Sequence, residues 1–543
     1  MRLRALAVTL LVACLLTAVP FLIRSRSTKN GEPAASSSLA DFNLEEATVA
    51  RLLQDQRLGR LTARRIVEQY LSRIQALDRN GPSLHAVIEL NPDALTVADA
   101  LDAERNARGL RGPLHGVPVL IKDNIDTADR MSTSAGSLAL EGSIAGRDAF
   151  IVERLRTAGA IILGKANMSE WANLRSTHPT SGWSGRGGLV RNPYALDRNP
   201  CGSSAGTGAA ISANFATIGV GTETDGSILC PSSATALVGI KPTVGLVSRS
   251  GIIPVAHSQD TAGPMARTVE DAAILLGVLA GVDPRDRVTT SQGLAPADYR
   301  ASLDPNGLRG ARVGVARTKF FGYSDVVDRI ANTAIERMRE VGAVIVDPAD
   351  IPNAGVYDTS ELEVLLYEFK ADLDRYLGAL GPSSKVHSLS DVIAFNEANR
   401  SREMPFFGQE LMLQAQKKGP LTDKAYRDAL ARNERLSRKE GIDAAMDRLH
   451  LDALVAPTVA PPWPTDLING DPLVTLSTTP AAVAGYPSIT VPAGYAFGLP
   501  VGISFIGRAW SEAQLIKFAY AYESATKHRR PPEFLATANL AVH

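Results

Sequence analysis

The sequence predicts an α/β fold, on three observations. Short apolar runs at residues 117–121, 160–163 and 215–221 are bounded by turn residues, as buried strands are. Stretches of helical period alternate with them; Ile66, Val67, Tyr70, Leu71, Ile74 and Leu77 make one such stripe. With 543 residues, 45% apolar and 21% charged, the chain has material for a large core and the composition of a globular protein.

In chain order, the first feature is an export segment. Arg2 and Arg4 precede a mostly apolar run over residues 5–23, and Arg24, Arg26 and Lys29 follow it. That pattern is a secretory signal or an uncleaved signal anchor over residues 1–31. The run approaches the ~20 residues that span a bilayer, so membrane association through residues 5–23 is open. The expected location is periplasmic, secreted or membrane-anchored. Leu11 to Cys14 resembles a lipoprotein box, but the apolar run continues past Cys14. Residues 32–40 read as a flexible linker, and residues 41–543 as one large domain.

Within that domain Thr62 caps the first striped helix, and a second helix covers about 94–107. The strand at 117–121 delivers Lys122 at its end. A helix at 152–158, stopped by Gly159, leads to a strand at 160–163. Residues 174–200 are rich in Gly, Ser, Pro and Asn, a loop length that is usually functional. Residues 268–280 read as a helix, and 281–310 as a surface crossing. Strands at 311–315 and 343–346 flank a helix at 326–341 as a βαβ unit. Residues 360–450 are helical and charged, a cap over the site. Runs at 453–456, 488–491 and 501–505 return strands to the main sheet.

Lys plus Arg and Asp plus Glu are equal at 57 each, so no net field favours nucleic acid. Three cysteines are too few for a disulfide framework. Cys14 lies in the export segment. Cys201 and Cys230 sit beside candidate serines and read first as small, partly buried thiols. A bridge between them is the minority reading, since pairing would distort the site.

Residues 199–243 carry the chemistry. Gly202-Ser203-Ser204-Ala205-Gly206 and Thr224-Asp225-Gly226-Ser227 are small hydroxyl-bearing loops. A small-residue helix at 205–213 and the strand at 215–221 separate them, which brings both loops to one end of a sheet. Pro231 fits the first position of a further helix running through Leu237. Ser227 would then lie on a strand-to-helix loop, among backbone N–H groups suited to an oxyanion. Gly202 to Gly206 also satisfies G-x-S-x-G, but no strand precedes it, so the hydrolase elbow fails. His115, the histidine nearest Lys122 in sequence, is taken as structural. No cluster has metal-ligand spacing, no phosphate loop is present, and no cofactor or metal is implied.

CGSSAG, GTETDGSILCPSS and VGIKPT, with HGVPVLIKDN and GKANMSEWAN upstream and AGYPSITVPAG and LPVGISFIG downstream, resemble the amidase signature family. SGWSGRGG, RNPY and TETDGSILCP resemble its bacterial peptide amidase branch. The resemblance implies a mixed central β-sheet sandwiched between α-helices in a single large domain, with a signature core over about 60–300 and a helical cap over about 360–450. It implies catalytic roles for Lys122 as base, Ser203 as a bridging serine on a cis peptide bond, and Ser227 as nucleophile. On the residues alone, a lysine at a strand end is a solvated group and a loop serine is a turn residue. Burial would lower the Lys122 pKa, while Asp123 and Asp126 would oppose this if they pointed inward. Backbone groups of Thr224, Asp225, Gly226 and Ser227 would form the oxyanion site. Asp225 replaces the family's usual glycine and would shape the pocket or hold the loop. Glu170, with Trp171 and Asn173, would support the site, and Ser204 would support the relay.

The function implied is an exported amidase acting on a carboxamide, such as the C-terminal amide of a peptide, through an acyl-enzyme. A membrane-anchored fatty-acid amide hydrolase and an inactive envelope scaffold remain alternatives. The transamidosome subunit is disfavoured by the export segment.

Overall fold

The computed structural model describes residues 43–291, 298–472 and 476–541. The expected export segment, its Cys14 and the linker at 32–40 lie outside the described residues. The strands, in chain order, are β1 (Val87–Leu90), β2 (Pro118–Lys122), β3 (Ile161–Ala166), β4 (Trp183–Ser184), β5 (Gly188–Leu189), β6 (Ile218–Glu223), β7 (Val238–Lys241), β8 (Thr261–Ala266), β9 (Arg312–Val315), β10 (Val344–Val346), β11 (Ala453–Pro457), β12 (Ser488–Ala496) and β13 (Leu499–Ile506). Eleven of them form one sheet in the order β1-β3-β2-β6-β8-β7-β12-β13-β11-β9-β10, and β4 and β5 pair separately.

The sheet is mixed. β2 runs parallel to both β3 and β6, while β6 and β8 pair antiparallel. β2, β3 and β6 are buried at every position, as strands covered on both faces must be, and their sequences PVLIK, IILGKA and IGVGTE are correspondingly apolar. The predicted βαβ unit is present: β9 and β10 are parallel across the Asp325–Glu340 helix. The three C-terminal runs enter the sheet as β11, β12 and β13.

Two boundaries near the site differ from expectation. The strand expected at 215–221 is β6, shifted toward Glu223. Asn214 turns at φ 60° and the Phe215 N–H closes the preceding helix on Ala210 O, so the chain turns before it extends. The helix expected from Pro231 to Leu237 spans Leu229–Ala234 instead. It starts early because a Glu223 carboxylate oxygen accepts from the N–H groups of Ile228 and Leu229 (2.7 and 2.9 Å). It stops early because Ala236 adopts φ 53°.

The Ala205–Ser212 helix is fully buried and made of small residues. Gly206 is required there, since a Cβ would lie 2.3 Å from Asn167 O and 2.4 Å from Ala86 O. Helices Asp358–Gly378, Leu389–Ala398, Glu410–Gln416 and Lys424–Glu434 occupy most of the 360–450 region expected as a cap. Leu366, Phe369, Leu373, Val392 and Met412 of the cap share one apolar cluster with Met168, Trp171, Ile253 and Val255 of the core. All described residues belong to one compact unit.

Candidate active site

Lys122 is the last residue of β2 and Thr222 lies near the end of the neighbouring parallel strand β6. Parallel pairing therefore delivers both side chains to one rim of the sheet. Lys122 is fully buried. Its Nζ stands 2.7 Å from Ser203 Oγ, 2.9 Å from Thr222 Oγ1 and 3.1 Å from Thr222 O. Burial lowers its pKa to about 7, against the opposing charges of Glu223 and Asp260. Asp123 and Asp126, which would oppose the shift if they pointed inward, are not among the charges that do so. Asp123 turns to Ser134 Oγ and the Gly136 N–H, and Asp126 accepts from Tyr376 Oη. These partners pull both carboxylates away from the amine.

The set of partners suits a neutral amine. Two N–H groups can go to the Thr222 oxygens, leaving the nitrogen lone pair for the Ser203 hydroxyl. Ser203 is fully buried, the Gly202–Ser203 peptide bond is cis, and Ser203 O accepts from the Ser169 N–H at 3.0 Å. Ser204 Oγ donates to Thr222 O (3.1 Å) and accepts from Thr222 N–H (3.2 Å), fastening the first serine loop to the strand that holds the lysine's other partners. The Ser204 N–H donates to Ser227 O at 3.2 Å.

Ser227 is 8% exposed. Its hydroxyl makes no hydrogen bond to another described residue, so the row is closed between Lys122 and Ser203 and open between the two serines. The N–H groups of Asp225, Gly226 and Ser227 likewise donate to no acceptor among the described residues, and are free for an incoming oxygen. Asp225 holds the loop: its two carboxylate oxygens accept from Thr478 Oγ1 (2.7 Å) and Thr479 Oγ1 (2.6 Å). Thr224 is anchored by Asp260, its Oγ1 donating at 2.6 Å, and Gly226 turns at φ 75°.

Glu170 does not reach the row. Its carboxylate meets Arg175 Nη1 at 2.6 Å and the Gly185 N–H at 2.7 Å, in the long loop. Burial raises its pKa, and the neighbouring Glu403 raises it further, against the pull of Arg175. Trp171 is buried against the cap, and Asn173 Nδ2 bonds Ser181 Oγ at 2.9 Å. His115 is structural, as expected: its ring nitrogens meet Leu101 O (3.1 Å) and the Arg111 N–H (3.1 Å).

The cysteine reading is corrected. Cys201 and Cys230 form a disulfide, their Cα atoms 5.9 Å apart. The bridge fits because the Leu229–Ala234 helix begins early enough to put Cys230 beside Cys201, inside a cluster with Ala234, Val459, Ala460 and Trp463.

Sequence reasoning missed several groups. Thr222 and Glu223 lie within an apolar strand, and nothing in their spacing marks them. Asp260 and Glu403 come from distant segments. Asn124, whose Nδ2 bonds Thr222 Oγ1 at 3.0 Å, sits in the KDN stretch and was within reach of the motif. The fold also brings His257, Glu368 and Asp372 together, with potential ligand atoms within 4.8 Å of one another. Tyr426 Oη, the Ser258 N–H and Arg375 Nη1 already engage those carboxylates. A cavity of about 280 Å³ separates this cluster from Thr222 and Asn124, and neither Ser203 nor Ser227 lines it.

The Amidase family model matches residues 65–516. The structure of the native peptide amidase of Stenotrophomonas maltophilia is 51% identical, with a TM-score of 0.87 over 90% of this chain and 99% of that one. A peptide amidase bound to the competitive inhibitor chymostatin is 52% identical, with a TM-score of 0.88 over 91% of this chain and 100% of that one. A protein of Arabidopsis thaliana named as an amidase is 43% identical over 505 residues, covering 91% of this chain and 93% of its own. The chain belongs to the amidase signature family and is an amide-hydrolysing enzyme with the fold of bacterial peptide amidase.

Proposed function

We propose that this enzyme hydrolyses the C-terminal amide of peptides to the acid and ammonia, with Ser227 as nucleophile, Ser203 as proton bridge and Lys122 as base. The observation that carries the reading is the buried 2.7 Å contact between Lys122 Nζ and Ser203 Oγ. In the proposed sequence, neutral Lys122 takes the Ser203 proton as Ser203 takes that of Ser227. Ser227 Oγ bonds to the carbonyl carbon, and the oxyanion meets the free N–H groups of Asp225, Gly226 and Ser227. The C–N bond breaks as the relayed proton returns to nitrogen, so ammonia leaves. Water then cleaves the acyl-enzyme by the same relay. The open link between the serines closes when substrate fills the site, since catalytic hydrogen bonds often tighten only in the Michaelis complex. Similarity to a peptide amidase that binds chymostatin supports the peptide substrate.

The test is ammonia release from an N-acylated dipeptide amide and from oleoyl amide. The peptide amide should give the larger kcat/KM; preference for oleoyl amide would overturn the peptide assignment in favour of a fatty-acid amide hydrolase.

We also propose export. The basic-apolar-basic pattern over residues 1–31 supports it, as does a disulfide of a kind that persists in oxidising compartments. No helix among the described residues is long and apolar enough to cross a membrane. Cell fractionation with mass spectrometry of the mature N-terminus checks this; full-length protein in the cytosol would overturn it.

A further inference from the structure

We propose that the Cys201–Cys230 bridge is a positioning device for the two serines, and that reducing it slows turnover while the fold persists. The inference rests on the serine relay proposed above. Cys201 lies just before the cis Gly202–Ser203 bond, and Cys230 is the second residue of the helix that follows Ser227. On the other side of Ser203, the Ser204 N–H donates to Ser227 O at 3.2 Å. Ser203 is therefore tied to the Ser227 segment on both sides, covalently on one and by a hydrogen bond on the other.

The anchor at the far end is rigid. Glu223 holds the N–H groups of Ile228 and Leu229, and Gly226 O accepts from the Cys230 N–H at 2.7 Å. Cys201 is itself held in a left-handed conformation, φ 61°, with its N–H on Asn199 Oδ1 at 2.7 Å. The bridge passes the position of the nucleophile segment to the loop that carries Ser203.

Magnitudes decide what reduction does. Bonded sulfurs sit about 2 Å apart, whereas unbonded heavy atoms need about 3.5–4 Å. Both cysteines are buried in a packed cluster, at 3% and 1% exposure. Breaking the bond therefore drives the two sulfurs apart by roughly 1.5–2 Å, and where the packed cluster passes about 1 Å of that to the serine loops the rate can fall about 10²-fold. In the reaction a dithiol such as dithiothreitol supplies two electrons and two protons. The S–S bond breaks, each cysteine sulfur becomes a thiol, and the reductant closes to its cyclic disulfide.

The experiment compares the oxidised full chain with the same protein treated with dithiothreitol, in the highest urea concentration that leaves the oxidised kcat unchanged. Aliquots are alkylated after assay and the free thiols located by mass. Because a buried bridge resists reductant, a Cys201→Ala, Cys230→Ala double variant is assayed alongside. The expected result for the reduced enzyme is a kcat lower by about 10²-fold, KM within about threefold, native near-UV circular dichroism, and recovery on reoxidation. The double variant should lose kcat too, though less, since alanines relieve the clash and leave only the slack. Val459→Ala, in the same cluster but with the bridge intact, serves as a comparator of similar Tm. Folded bridgeless enzyme with kcat within about twofold of the oxidised form would overturn the proposal. So would a loss no greater than that of Val459→Ala, because the bridge would then be a staple for stability alone. Failure of the relay itself shows differently, as activity retained by Ser227→Ala.

Discussion

A lysine in water has a pKa of about 10.4, so roughly one side chain in two thousand is neutral at pH 7. Burial moves Lys122 to about 7, where about half are neutral. In the proposed mechanism the active form is the deprotonated one, so kcat/KM should rise with pH and level off above about 7; a rate flat from pH 5.5 to 8.5 would remove Lys122 as the base. Ser227→Ala should lower kcat by at least about 10⁴-fold and abolish labelling by a fluorophosphonate. Ser203→Ala should fall by about 10²–10⁴-fold and retain slow turnover, because it removes a proton bridge and spares the nucleophile. Steady-state ammonia release separates the two. Near-wild-type turnover by the Ser227 variant would end the mechanism.

Among the elements, the join between cap and core carries the sharpest expectations. Arg175 is buried between the Glu170 carboxylate and Glu403 O, at 2.6 Å from each. Arg175→Ala should cost about 3–5 kcal/mol, because the buried Glu170 carboxyl group and the Glu403 carbonyl lose the guanidinium that pairs them. Phe369, fully buried where the Asp358–Gly378 helix meets Trp171 and Ile253, should cost about 3–5 kcal/mol when cut to alanine. Denaturant midpoints measure both, and a change below about 1 kcal/mol in either would mean the cap is not part of the cooperative unit. These elements also show what sequence could and could not reveal. The periodicity of residues 63–74 and the unbroken apolar character of β2 and β3 made them legible, since burial on one face or two leaves a local pattern. The Leu229–Ala234 helix was misplaced because its cap is Glu223, a residue of the preceding strand, and Pro231 was the only local signal. The disulfide was misjudged for a related reason: it depends on where that helix begins. Lys122, Ser203 and Ser227, the residues proposed to react, are marked in the sequence only by motif resemblance. Thr222, Asp260 and Glu403 were not, because their roles arise only when distant segments meet.

For the molecule as a whole, every group of the proposed site lies between Lys122 and Thr479. A chain beginning near residue 41 should therefore fold and keep kcat within about twofold of the full-length enzyme. An inactive but folded truncation would show that the N-terminal segment contributes to the site. The sheet order explains why so much chain is needed. The strands that carry Lys122 and Thr222 are neighbours in the first half, while β12, β13 and β11 complete the sheet from the other end of the sequence.

The grip of Thr478 and Thr479 on Asp225 has a temporal side. During synthesis the side chains proposed to react would leave the ribosome long before the residues that brace their loop, so the nascent chain would carry them unarmed. A protease nick that releases the last part of the polypeptide should likewise cost activity, with Lys122, Ser203 and Ser227 still in place along the chain.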